Sequence, residues 1–188
     1  MIFAHFTERP YRWLPEEEVI RNRSFFGVSN RFFDREKAAD DYNYYLDEML
    51  YAEQLGFDAI VLNEHHGTPF CMGSVMNVEA AILARVTRRA RIVLLGNPLP
   101  VIKHPLRMAE ELATIDVISR GRLVTGWVRG AGSEQFFNNA NPAYNREMFV
   151  EAHDFFVQAW TRKGPWPAST RCFLLRRFAC SSPPWAQG

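Results

Sequence analysis

With 188 residues, 47% hydrophobic and 23% charged, the chain has the composition of a folded domain, which excludes disordered and fibrous classes. Lysine plus arginine (22) nearly balance aspartate plus glutamate (21), so no strong field gathers nucleic acid or an anionic membrane surface. Small molecules are the expected partners, with no nucleic acid and no membrane.

The opening Met1-Ile2-Phe3-Ala4-His5-Phe6 has no charged leader, and no later run approaches the ~20 apolar residues of a membrane span. A cytoplasmic protein is expected. Cys71, Cys172 and Cys180 make no even disulfide framework and no CxxC pair, which fits reduced thiols.

Ile2 to Phe6 is a short apolar run suited to a buried strand. Thr7 to about Asp41 mixes Pro10, Pro15, Gly27 and Asn30 with charges and aromatics. It reads as a long loop with a short helix at Pro15-Glu16-Glu17-Glu18, where proline opens the turn and acids suit its N-terminus. From Tyr42 the period becomes helical, with Tyr45, Leu46, Met49 and Ala52 on one face and Gly56 as the left-handed stop.

Asp58-Ala59-Ile60-Val61-Leu62 then has the continuous apolar character of a strand buried on both faces. Ser74 is expected to cap a helix carrying Ala80, Ala81, Leu83 and Ala84. Arg91 to Gly96 is the next strand, and Pro105 starts a helix with Ala109, Leu112 and Ala113 inward. Ser119-Arg120-Gly121 stops it. Arg122 to Val128 is a further strand, and Met148, Phe149, Ala152, Phe155, Phe156, Ala159 and Trp160 mark the last helix.

Four alternations of strand and helix imply an α/β fold with a parallel sheet. A full eightfold barrel needs ~250 residues, so about four βα units of an incomplete barrel are expected over residues 1–166. Residues 167–188 carry two of the three cysteines and no acid, without caps or alternation. They are expected to be a disordered or non-native tail.

Glu64-His65-His66 directly follows the strand ending at Leu62. C-terminal strand ends are where parallel α/β folds bind ligands, and histidine suits proton transfer near neutral pH. Neighbours in an extended segment point opposite ways, so at most one of His65 and His66 should face a pocket. Consecutive residues do not converge easily on one ion, and His104 and His153 are isolated, so no metal site is expected.

Two glycine-containing turns complete the candidates. Gly126-Trp127-Val128-Arg129-Gly130-Ala131-Gly132 follows the last strand, where Arg129 can grip a phosphate or neutralise a reduced, anionic ring system. In Gly96-Asn97-Pro98-Leu99-Pro100 the amide of Asn97 can meet a polar ring. Neither segment has the GxGxxG of a dinucleotide fold or the GK[ST] of a P-loop.

Together these segments resemble the bacterial luciferase-like family of flavin-dependent monooxygenases. The resemblance rests on Leu55-Gly56-Phe57-Asp58 leading to Glu64-His65-His66, on His104-Pro105-Leu106-Arg107-Met108-Ala109-Glu110-Glu111, and on Asp116 to Leu123 running into Gly126 and Arg129-Gly130. It implies a β/α barrel of the TIM type using reduced FMN and O2 on a small apolar substrate such as an aldehyde. The flavin would come from a separate flavin reductase, and a homo- or hetero-oligomer is expected. The resemblance assigns His65 an acid/base or peroxyflavin-stabilising role, Arg129 the flavin phosphate, and Asn97 a turn against the ring. Val128 stands where light-emitting members carry a reactive cysteine, which argues against light emission. A deazaflavin-dependent oxidoreductase and an inactive barrel fragment or partner subunit are the alternatives.

Overall fold

The computed structural model describes residues 1–22, 26–130 and 132–163. The chain divides into two compact units, one formed by 1–97 with 111–128, the other by 98–110 with the residues from 129 onward. The expected tail, 167–188, and with it Cys172 and Cys180, lies outside the described residues.

In the first unit, β1 (Ala4–Phe6), β2 (Ala59–Leu62), β3 (Arg91–Pro98) and β4 (Leu123–Val128) form one sheet in that order. β1 pairs with β2 and β2 with β3 in parallel, with His5 beside Ile60 and Ile60 beside Ile92. Strand and helix alternate as the apolar runs imply, so the α/β expectation holds. β2 is buried almost throughout.

β1 departs from the expected buried strand. It is short, with Phe3 60% and Phe6 47% exposed, because it lies at an edge of the sheet. The face shared by Phe6, Val61 and Val93 is open, while Ile60, Leu62, Ile92 and Leu94 on the opposite face are fully buried. Burying each such side chain contributes about 1.5–3 kcal/mol.

Helix α1 (Glu16–Arg21) follows Pro15 as its sequence implies. Helix α2 (Arg35–Gln54) begins seven residues before the apolar period becomes readable at Tyr42. Its first two turns are polar, and the start is set by Asp34, whose side chain accepts from Glu36 N and Lys37 N. Tyr45, Met49 and Ala52 are buried as expected, and α2 packs on β2 and on α3 (Met76–Val86). Gly56, at φ 93°, ends α2.

Ser74 does not cap α3. The N-cap is Val75, with no side-chain hydrogen bond, and Ser74 N donates instead to Met72 O. Helix α4 (Pro105–Ser119) starts at its proline and closes through Gly121 N donating to Asp116 O. Ala113 is exposed, and Ile115 takes the inward position assigned to it.

In the second unit, α5 (Ser133–Phe137) was not visible in the sequence, being one short turn without apolar period. α6 (Asn145–Thr161) buries Ala152, Phe155 and Phe156 and packs on the 3-10 turn Leu99–Val101. Trp160 Nε1 donates to Ala109 O at 3.3 Å. No described helix is long and apolar enough to cross a membrane.

Candidate functional site

Because β1 and β2 run parallel and pair at Phe6 and Val61, the loops leaving their C-terminal ends meet. Those loops carry Thr7 to Arg12 and Asn63 to Gly73, and their contacts form a connected polar cluster. His65 lies three residues past the end of β2, its side chain 38% exposed, with Nε2 3.8 Å from Glu8 Oε2. The same Glu8 oxygen accepts a short hydrogen bond from Asn63 Nδ2. His66 turns elsewhere, its Nε2 3.0 Å from Glu64 Oε1. The two adjacent histidines thus diverge, as an extended segment requires, each toward its own carboxylate.

Beneath them sits Arg9, 1% exposed. Its backbone is in the left-handed region, at φ 56°, a conformation unusual for a residue other than glycine. One guanidinium nitrogen donates to Asn63 O at 2.6 Å, another to Thr7 O at 2.9 Å. Nε lies 2.9 Å from Glu79 Oε2, but its N–H is out of line for a hydrogen bond, so the contact is an ion pair. Burial pushes the Glu79 carboxyl up from the usual range, with the Arg9 charge pulling the other way. Burial likewise raises the Cys71 thiol, which points its Sγ at Asn63 Oδ1. That makes Cys71 a packed spectator.

Gly73 is fixed by the same cluster, since a Cβ there would come within 1.9 Å of Arg9 Nη2. The Tyr42 hydroxyl, raised by burial, donates to Met72 O and closes the loop.

Asn97, fully buried near the end of β3, donates from Nδ2 to Asn77 Oδ1 at 3.1 Å, while its own Oδ1 has no partner among the described residues. The preceding peptide, Leu95–Gly96, is cis. β3 and β4 approach closely there: a Cβ on Gly96 would lie 2.8 Å from the Gly126 carbonyl.

His65 and Asn97 belong to the first unit and Arg129 to the second. Arg129 is exposed, and its guanidinium meets no carboxylate among the described residues. Its backbone is clamped by the buried Gln135, which donates to Arg129 O at 2.5 Å and accepts from Gly132 N at 3.0 Å.

Among the described residues of the first unit, cavities open at both ends of the strands. One of about 180 Å³ is mainly apolar, lined by Pro10, Tyr11, Leu14, Val19, Pro69 and Phe70, so the loop bearing His65 supplies part of its wall. A larger one, about 690 Å³, lies at the other end of the strands among Arg85, Arg88, Arg120 and Arg122. Arg122 has every N–H engaged there: Nε with Ser119 O, Nη1 with Thr87 Oγ1 and Ala90 O, Nη2 with Ala84 O and Thr87 O. That cavity is therefore a poor candidate despite its size. Among the described residues no three His, Cys, Asp or Glu side chains gather as metal ligands.

Sequence reasoning missed Glu8, Arg9, Asn77 and Glu79. Glu79 carried the one available signal, an acid on the apolar stripe of Met76, Ala80 and Leu83. Arg9 carried none, because a buried arginine in a polar loop looks like an exposed one.

The model of the luciferase-like monooxygenase family matches residues 24–186. The chain belongs to that family. Among relatives of known name, the beta chain of alkanal monooxygenase from Vibrio harveyi is 29% identical over 119 residues, 62% of this chain and 36% of that protein. The oxygenase component of flavin-dependent trigonelline monooxygenase from Acinetobacter baylyi is 31% identical over 113 residues, 60% of this chain and 31% of that protein. The fold is shared with the oxygenating constituent of 3,6-diketocamphane monooxygenase from Pseudomonas putida, solved with FMN, at a TM-score of 0.63 and 18% identity over 78% of this chain and 39% of that one. The luciferase-like chain thus spans about a third of the length of the named relatives it matches.

Proposed function

We infer that the chain carries the acid/base portion of a flavin-dependent oxygenase subunit acting on a small apolar carbonyl compound such as an aldehyde. The observation that carries this reading is His65 at the C-terminal end of β2, in a loop that also walls an apolar cavity, within a luciferase-like monooxygenase.

The donor set suits FMN. Arg129, a cation without a carboxylate partner among the described residues, fits the flavin phosphate. Asn97 keeps its side chain inside against Asn77, so what the end of β3 would present to the ring is backbone. When bound, reduced FMN supplies the two electrons that split O2, one oxygen atom entering the substrate and the other leaving as water. The chain's part is to grip the phosphate at Arg129, seat the substrate against Pro69 and Phe70, and move the required proton through the His65 imidazole.

A flavin reductase and a second subunit are the partners this reading requires. The names of the relatives, a beta chain and an oxygenase component, support both.

The test is oxygen uptake by the full chain with photoreduced FMN and octanal. Aldehyde-dependent uptake that falls about 100-fold or more in His65→Gln supports the assignment. Uptake equal in wild type and variant defeats the role of His65, and turnover with a reduced deazaflavin alone would replace the cofactor.

A further inference from the structure

We propose that the apolar cavity walled by Pro69 and Phe70 takes only the hydrocarbon end of its ligand, an unbranched alkyl segment of about six or seven carbon atoms, and leaves the polar head outside. That this ligand is the carbonyl substrate rests on the function proposed above. The selection by length and polarity does not.

Size sets the length. The cavity measures about 180 Å³, and an apolar cavity of about 150 Å³ takes up benzene, so the space suits a slightly larger hydrocarbon than a six-carbon ring.

Polarity decides which end enters. Small-molecule sites usually place a few polar groups to hold those of the ligand. Here each polar side chain of the lining already has a protein partner. The Tyr11 hydroxyl donates to Phe32 O at 3.2 Å and accepts from Asp34 N at 3.0 Å. Arg12 meets the buried Asp41 at 2.7 Å through both Nε and Nη2, and Asn22 Nδ2 donates to Glu18 O at 2.9 Å. The backbone of Tyr11 and of the two prolines is committed as well. Tyr11 N donates to Pro69 O at 2.8 Å, Pro10 O accepts from the Tyr45 hydroxyl at 2.8 Å, and neither proline has an N–H to offer. What is left to meet an occupant is the apolar surface of Leu14, Val19, Val28 and Phe70. A hydroxyl carried inside would lose its water without finding a replacement.

A series of 1-alkanols from butanol to decanol, added to the full protein labelled with ¹³C at leucine and valine methyl groups, tests this without flavin or turnover. The methyl signals of Leu14, Val19 and Val28 are assigned by single substitution. They are expected to shift saturably, with the dissociation constant falling about fourfold for each added methylene as far as hexanol or heptanol and then levelling. Hexane-1,6-diol, which must carry a hydroxyl inside, binds at least about tenfold more weakly than hexanol. Leu14→Ala moves the levelling point to a longer alcohol, and Val19→Phe moves it to a shorter one. Val19 is 48% exposed, so its variant is expected to fold even if Leu14→Ala does not. Affinity that keeps rising through decanol, a diol that binds as well as hexanol, or no shift at these methyl groups overturns the proposal. If the series behaves as expected while octanal-dependent oxygen uptake is absent, the proposed function fails and the selectivity of the cavity stands.

Discussion

The two ends of the sheet in the first unit are built from the same residue types and finished differently. Where the strands begin, Arg122 has all five N–H groups bonded, and Glu53 on α2 accepts from the backbone of Arg88, Arg89 and Ala90. Where they end, Asn97 Oδ1 has no partner among the described residues, Arg9 meets Glu79 without a hydrogen bond, and His65 stands 3.8 Å from Glu8. The closed network at the strand starts fixes the fold there, and the end that carries His65 is bonded more loosely. The contrast matches the division in β/α barrels between a stabilising face at the strand starts and a working face at the strand ends.

The comparison breaks most visibly if the buried charges at the strand ends are structurally idle. Arg9→Met leaves Glu79 uncompensated and should destabilise the chain by about 3–5 kcal/mol in urea unfolding, with much of that recovered in the double variant Arg9→Met, Glu79→Leu. A loss below 1 kcal/mol would mean that the cluster is not holding the loops.

At the opposite end, Glu53→Ala strands three backbone N–H groups and should cost about 2–4 kcal/mol. Burial pushes the Glu53 carboxyl up, but the N–H groups of Ala90, Arg89 and Arg88, helped by Arg122, together hold it below its ordinary value of 4.5. A lowered folded value means that its stabilisation is complete above that pH and drains as pH falls below it. Acid titration of stability should therefore show wild type losing its margin over Glu53→Gln under acid conditions and keeping it at neutral pH.

Gly96→Ala puts a methyl 2.8 Å from the Gly126 carbonyl and should cost about 1–3 kcal/mol, read as a lowered Tm. Smallest of all, His65→Gln should change stability by no more than about 0.5 kcal/mol, since its ring is partly exposed and belongs to the open end.

Much of this architecture is written plainly in the chain. Ala59 to Leu62 and Arg91 to Gly96 are apolar runs that admit little else, and Pro105 and Gly56 mark helix ends by backbone constraint alone. The early start of α2 was hidden because Asp34 sets it through two hydrogen bonds, ahead of any apolar period. Ser74 misled because a residue suited to capping caps only if the backbone turns beside it, and the turn comes one residue later.

For the candidate site, His65, Asn97 and Arg129 could be named from strand ends and family resemblance. Glu8 and Arg9 could not, since their contacts depend on β1 lying beside β2. Asn97 illustrates the same limit, for only the structure shows its side chain committed to Asn77.

The most direct measurement is to add reduced FMN anaerobically to the uniformly ¹⁵N-labelled full chain and map which backbone amides shift. The account predicts saturable changes at residues 63–67, 96–97 and 129–130, none at 84–90 or 119–122, and affinity at least about tenfold weaker in Arg129→Ala, a difference of about 1.4 kcal/mol. Shifts centred on the arginine-lined cavity at the strand starts, or no binding at all, would contradict it.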